Sequence, residues 1–144
     1  MKRKLPKPNQ KTLKQLKVKY EPIIREIVKR RDGYKCAVAG VNHKCWGVLV
    51  ADHWKGRGHT NTFFDIRNLT CICRNANNLK RFDSFLANAV SKVVQNREGA
   101  GILEELNFLS RQPAMKLTED ALIVLVEKYN QTYTEEKNVS KKEE

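Results

Sequence analysis

The apolar positions of this chain follow a helical period at both ends and a strand-like pattern in the middle. Ile23, Ile24, Ile27 and Val28 recur at i, i+1, i+4 and i+5, one face of a helix. Pro22 suits the first turn of that helix, Glu21 favours its positive dipole end, and Asp32-Gly33 closes it. Leu13, Leu16, Val18 and Tyr20 come before it in a lysine-dense stretch. Two short apolar runs, Val48-Leu49-Val50-Ala51 and Leu69–Cys73, have strand length. The loop between them holds Lys55-Gly56-Arg57-Gly58-His59, too rich in glycine for a helix. A helical pattern opens at Asn77 and runs through Leu79 and Phe82. Asp83 or Ser84 caps the next helix, with Phe85, Leu86, Ala89, Val90, Val93 and Val94 inward. Residues 102–109 form a short helix with Leu103, Leu106 and Leu109 inward, and Pro113 interrupts. Thr118-Glu119-Asp120 starts a last helix bearing Leu122, Leu125, Val126, Tyr129 and Tyr133. Residues 34–46 are irregular and hold Cys36, His43 and Cys45.

Charge divides the chain further. The formal net charge is +12 over 144 residues, and residues 1–35 carry 13 Lys/Arg against three acidic residues. Such an excess points to a polyanion as partner. Residues 1–20 are therefore expected to be a flexible basic arm, 21–134 a single folded domain, and 135–144 a charged disordered tail. Arg25, Lys29 and Arg30 lie on the polar side of the first helix as candidate DNA contacts. Lys2 is followed by no apolar h-region, and no run reaches membrane-spanning length, so a cytoplasmic protein without membrane contact is expected. Four cysteines in a chain without an export signal argue for metal ligands or buried thiols over disulfides.

The first apolar run delivers Asp52 and His53 side by side, and two spaced asparagines follow, Asn68 and Asn77. Phosphodiester hydrolysis needs a base for the attacking water and a cation for the phosphoryl and leaving oxygens. Asp52 offers a charged oxygen and Asn77 a neutral one to a hard ion such as Mg²⁺ or Mn²⁺. Strand alternation turns His53 away from Asp52, so it can stay off the metal and act as base. Asn68 can fix the imidazole or the loop through its amide.

Asp52-His53, Asn68 and Asn77 resemble the HNH (His-Me finger) nuclease motif in its D-H…N…N form. The wider string ADHWKGRGHTNTFFDIRNLTCIC, with the helices after it, is similar to the phage recombination nuclease family NinG, also called Rap. The likeness runs over about residues 31–129. It implies an α+β domain with a ββα-metal core and flanking helices. It also implies a DNA endonuclease acting on branched or single-stranded DNA in a phage-infected or prophage-bearing bacterium. By the same likeness His53 is the general base, Asp52 and Asn77 are the metal ligands, Asn68 orients, and Arg57 contacts a phosphate. Lys55, His59 and Lys80 are further candidate DNA contacts. The rival is a non-catalytic nucleic-acid-binding protein on a degenerate frame; the oligomeric state is left open, a homodimer included.

The chain departs from the family at its zinc knuckles. Cys36 is followed at the second ligand place by Ala39, and Cys73 by Ala76, which leaves two of the four ligands that structural zinc needs. Cys45, Cys71 and His43 are available to refill the set. The expectation drawn from the spacing is that structural zinc is absent and that the two alanines make a dry miniature core with the cysteines.

Overall fold

A computed structural model describes residues 10–143, with side chains described to residue 134. The described residues form an α+β arrangement of six helices and one two-stranded antiparallel sheet. The chain divides into two compact units, residues 28–115 and a second made of residues 1–27 with 116–144.

Helix α1 spans Leu13–Arg31, its residues up to 27 belonging to the second unit. It begins eight residues earlier than the pattern after Pro22 suggests, which corrects the expected flexible arm over residues 13–20. The first nine residues of that arm lie outside the described residues. Two features make the early start. Leu16, Tyr20, Ile24 and Ile27 are buried at helical spacing, a stripe that continues straight across Pro22. Thr12 and Gln15 form a capping box, Gln15 N donating to Thr12 Oγ1 at 3.2 Å and Thr12 N to Gln15 Oε1 at 2.8 Å. Helix α6 spans Glu119–Glu143, so the backbone of the expected disordered tail is helical as far as 143. Lys19 Nζ and Tyr20 Oη donate to Glu119 Oε2 at 2.8 and 2.9 Å, tying α1 to the start of α6. These bonds, the one from Lys19 first, hold the Glu119 carboxyl down at about 2.

The first unit carries the sheet. Strand β1, Leu49–His53, pairs antiparallel with β2, Leu69–Cys73, so that Asp52 faces Thr70 and His53 faces Leu69. Helix α2, Thr60–Phe63, and a single 3₁₀ turn, Ile66–Asn68, structure the intervening loop. Helix α3, Arg74–Leu79, leaves β2 directly and packs on both strands. It starts three residues before the expected Asn77 and ends at Leu79, short of Phe82, which is 89% exposed. Helix α4, Ser84–Glu98, is capped by Asp83, whose side chain accepts from Leu86 N at 3.1 Å. Leu86 and Val90 join Val38, Ile72, Cys73 and Ala76 in one core. Val94 joins Ile102 and Leu106 of helix α5, Ile102–Arg111, in another, with Trp54 against it. Phe85 stays on the outside. Among the described residues no helix is long and apolar enough to cross a membrane.

Candidate functional site

Asp52 and His53 end β1 and are both buried. The His53 imidazole lies on the Phe63 ring, centroids 4.7 Å apart. Its Nε2 is 3.0 Å from the Phe63 carbonyl oxygen. A carbonyl can only accept, so Nε2 is the donor in this bond, and in the neutral tautomer with that hydrogen the basic nitrogen is Nδ1.

The Phe63 carbonyl is in place because Asn68 shapes the loop before it. Asn68 is completely buried. Its Oδ1 accepts from Lys55 N at 2.6 Å, and its Nδ2 donates to the carbonyls of Lys55 and Thr62, each at 3.0 Å. One amide thus joins both ends of the 55–62 excursion. Of the two groups that Asn68 could fix, the imidazole and the loop, its amide bonds the loop. Asn61, which the sequence did not single out, fastens the same loop outward. Its Nδ2 donates to Leu109 O at 2.9 Å, and its Oδ1 accepts from Met115 N at 2.7 Å.

Removing three bonds at once leaves buried backbone groups without partners, so Asn68→Ala is expected to cost about 2–4 kcal/mol of stability. Urea unfolding measures it. A midpoint equal to that of the parent protein overturns the staple.

Asp52 has two different oxygens. Oδ1 meets the Lys80 ammonium. Oδ2 is the one buried side-chain polar atom among the described residues with no hydrogen-bond partner. Burial pushes the carboxyl above the ordinary range, and Lys80 works against that shift. Asn77 is half-buried on α3, the helix that packs on both strands. An orphaned carboxylate oxygen with an amide on the neighbouring helix suits a hard cation.

The expected DNA contacts fall into two groups. Arg57 and His59 are exposed on the loop, the Arg57 guanidinium 5.2 Å from the Phe63 ring centre. Arg25, Lys29 and Arg30 are half-buried along α1, with Arg25 3.7 Å from Glu21. Lys55 Nζ instead donates to Asn107 Oδ1 at 3.0 Å. Lys80 is turned inward onto Asp52.

The second centre corrects the expectation that the ligand set stays incomplete, and it places only one of the two alanines, Ala76, in the dry core. Cys36, His43, Cys45 and Cys73 bring their ligand atoms within 4.8 Å of one another. His43 Nε2 is 3.4 Å from Cys45 Sγ and 3.9 Å from Cys36 Sγ. A tetrahedron with metal–sulfur bonds of about 2.3 Å has edges of about 3.8 Å, so the four need little movement to close on an ion. His43 Nδ1 donates to the Val41 carbonyl at 2.6 Å, which leaves the Nε2 lone pair for the cluster. Ala39 is exposed, and Ala76 belongs to the apolar core. His43 and Cys45 stand where the missing ligands would be, while Ala76 and Cys73 pack in the core with Cys36 against it.

The 42–48 loop is what carries the replacements. Asn42 has φ 48° and Gly47 has φ 83°. A side chain at Gly47 would meet Arg74 Cβ at 2.8 Å, so only glycine lets the loop cross the start of α3. Asn75 Nδ2 then donates to Lys44 O at 2.7 Å, holding Cys45 opposite Cys73. Burial alone would raise the Cys73 thiol, but backbone donors at Ala76 and Trp46 and the facing Cys45 and His43 bring it down to about 7. Cys71 stands apart from the set, its thiol raised to about 11 by burial and by Asp32. Three soft sulfur donors and an imidazole make a site that can hold a metal ion.

Comparison with protein-family models, curated proteins and solved structures finds no match to this chain.

Proposed function

We propose that the chain is a divalent-metal-dependent endonuclease that hydrolyses DNA phosphodiester bonds on an HNH-type ββα frame. The observation that carries this reading is the backbone-fixed His53 beside the half-orphaned Asp52. A packed core rarely tolerates such a pair, because a buried charged oxygen without a partner is heavily penalised. In this reading His53 Nδ1 takes the proton of a water as its oxygen bonds to phosphorus and the bond to the departing sugar oxygen breaks. Asn68 acts through the loop, holding the Phe63 carbonyl that sets the tautomer. Asp52 and Asn77 would hold Mg²⁺ or Mn²⁺, which would supply positive charge to the phosphoryl and leaving oxygens. Arg57 and His59 stand at the exposed side of the loop, where a phosphate backbone can reach them. The sulfur-rich set Cys36, His43, Cys45 and Cys73 suits structural zinc rather than a hard catalytic ion. Branched or single-stranded DNA and a bacterial cytoplasm in phage recombination belong to the proposal through the family resemblance.

The test is cleavage. Purified, zinc-loaded protein incubated with Mg²⁺ and plasmid, single-stranded and branched DNA is expected to cut, and Asp52→Asn is expected not to. Tight binding to all three DNA forms without cleavage of any would overturn the enzymatic reading in favour of a binding protein.

Affinity has its own test. Removing residues 1–10 takes away Lys2, Arg3, Lys4 and Lys7 and leaves α1 whole. The slope of log affinity against log salt is expected to flatten, by about 0.9 for each phosphate that these charges neutralise on duplex DNA. An unchanged slope would make those charges bystanders.

A further inference from the structure

Lys80 is the charged group at the centre for which the proposed chemistry has no use. It is the C-cap of α3, its N–H donating to Ala76 O at 3.0 Å. Its ammonium reaches Asp52 Oδ1, the Asp52 side chain being 5% exposed and that of Lys80 22%. The other carboxylate oxygen is left unpartnered. The pair is therefore lopsided. One oxygen is neutralised by a monovalent point charge, and the other keeps its acceptor capacity in a buried position.

We propose that Lys80 is a built-in cation that occupies Asp52 until a divalent ion replaces it. This inference rests on the reading of Asp52 as a metal ligand. A carboxylate this deeply buried needs a counter-charge whenever the ion is absent, because an unpaired buried charge is strongly destabilising. Lysine suits a temporary role. Its ammonium is a compact point charge on a flexible four-carbon stem, whereas an arginine fork would clamp both oxygens. Anchored at the end of α3, the stem can withdraw while its backbone stays in place. Ion binding is then an exchange of one cation for another. The apparent affinity for the ion is lowered by the fraction of protein in which Lys80 already holds Asp52. The released ammonium stays beside the centre, at the edge where substrate phosphate arrives. The nuclease centre is thereby kept folded without its ion, and charge is handed to the phosphate only after the ion is in.

The experiment is Mn²⁺ binding read by EPR of the free ion. It uses full-length, zinc-loaded protein at pH 8 and compares the parent chain with Lys80→Met, Lys80→Arg and Asp52→Asn. Lys80→Met is expected to bind Mn²⁺ about tenfold tighter or more, since the competing cation is gone. Its ion-free melting temperature is expected to fall and to gain more from Mn²⁺ than the parent's does. Lys80→Arg is expected to bind more weakly than the parent, and it answers the question if Lys80→Met fails to fold. Equal or weaker binding by Lys80→Met, with binding abolished in Asp52→Asn, overturns the exchange and leaves Asp52 as a ligand. Unchanged binding in Asp52→Asn overturns the ligand assignment itself and the exchange with it.

Discussion

Zinc in the Cys36–His43–Cys45–Cys73 cluster is expected to stabilise the sheet-bearing unit, residues 28–115, so that stripping it sharply lowers the melting temperature. The reason lies in what the cluster connects. Cys73 is the last residue of β2 and the N-cap of α3, its Sγ accepting from Ala76 N at 3.4 Å. Cys36, His43 and Cys45 come from a stretch with no regular structure of its own. Without an ion, three thiols and an imidazole crowd together with little apolar area to offset the ordering of that loop. Structural zinc in isolated finger peptides contributes about 10–16 kcal/mol. Here the core of Val38, Ile72, Leu86 and Val90 shares the load, so a smaller loss is expected. A loss of even ~4 kcal/mol lowers the melting temperature by about 15–30 °C in a domain of this size. Elemental analysis is expected to find one zinc per chain, and a strong chelator to produce that fall. Cys45→Ser is expected to lose the zinc, whereas Cys71→Ser, outside the cluster, is expected to retain it. Zinc-free protein with an unaltered melting curve would return the site to a packing role.

The Asp52–His53 end of this arrangement was far more legible in the sequence than the cysteine–histidine cluster, and the difference is physical. Asp52, His53 and Asn68 sit at the ends of two apolar runs, and runs of that kind form strands wherever they can be covered. Their side chains follow from strand geometry. The cluster depends instead on a loop whose path is set by Asn42 and Gly47 at positive φ, and no periodicity announces that path. Cys36 to His43 to Cys45 is also not knuckle spacing, so counting from the alanine positions pointed the wrong way. The Phe63 carbonyl is a backbone atom and has no signature in side-chain chemistry at all. In α1 the error was one of weighting. Lysine density and Pro22 outweighed a stripe, Leu16, Tyr20, Ile24 and Ile27, that burial then decided. The Thr12…Gln15 capping box was a readable signal for that start. Lys80 could be read as basic but not as inward, because only α3 leaving β2 directly carries it back to Asp52.

His53→Ala is expected to lower the cleavage rate by ~10²–10⁴-fold while leaving DNA affinity within a few-fold of the parent. The first half follows from the proton. With Nε2 committed to the Phe63 carbonyl, Nδ1 is the nitrogen that can take a proton from water, and alanine offers none. The second half follows from burial. His53 is only 8% exposed, so its ring contributes almost no surface to a bound backbone, whereas Arg57 and His59 are exposed and unchanged. The truncation also removes a ring packed at a tilt against Phe63 and leaves its carbonyl without that donor. Some loss of stability is therefore expected, and the rates are to be compared where the variant is folded. Single-turnover cleavage at saturating protein, with fluorescence anisotropy for binding, separates the two effects. A loss confined to affinity would move His53 from proton transfer to substrate binding. Cleavage near the parent rate in folded variant would remove it from the chemistry, and the base would have to be sought elsewhere on the loop.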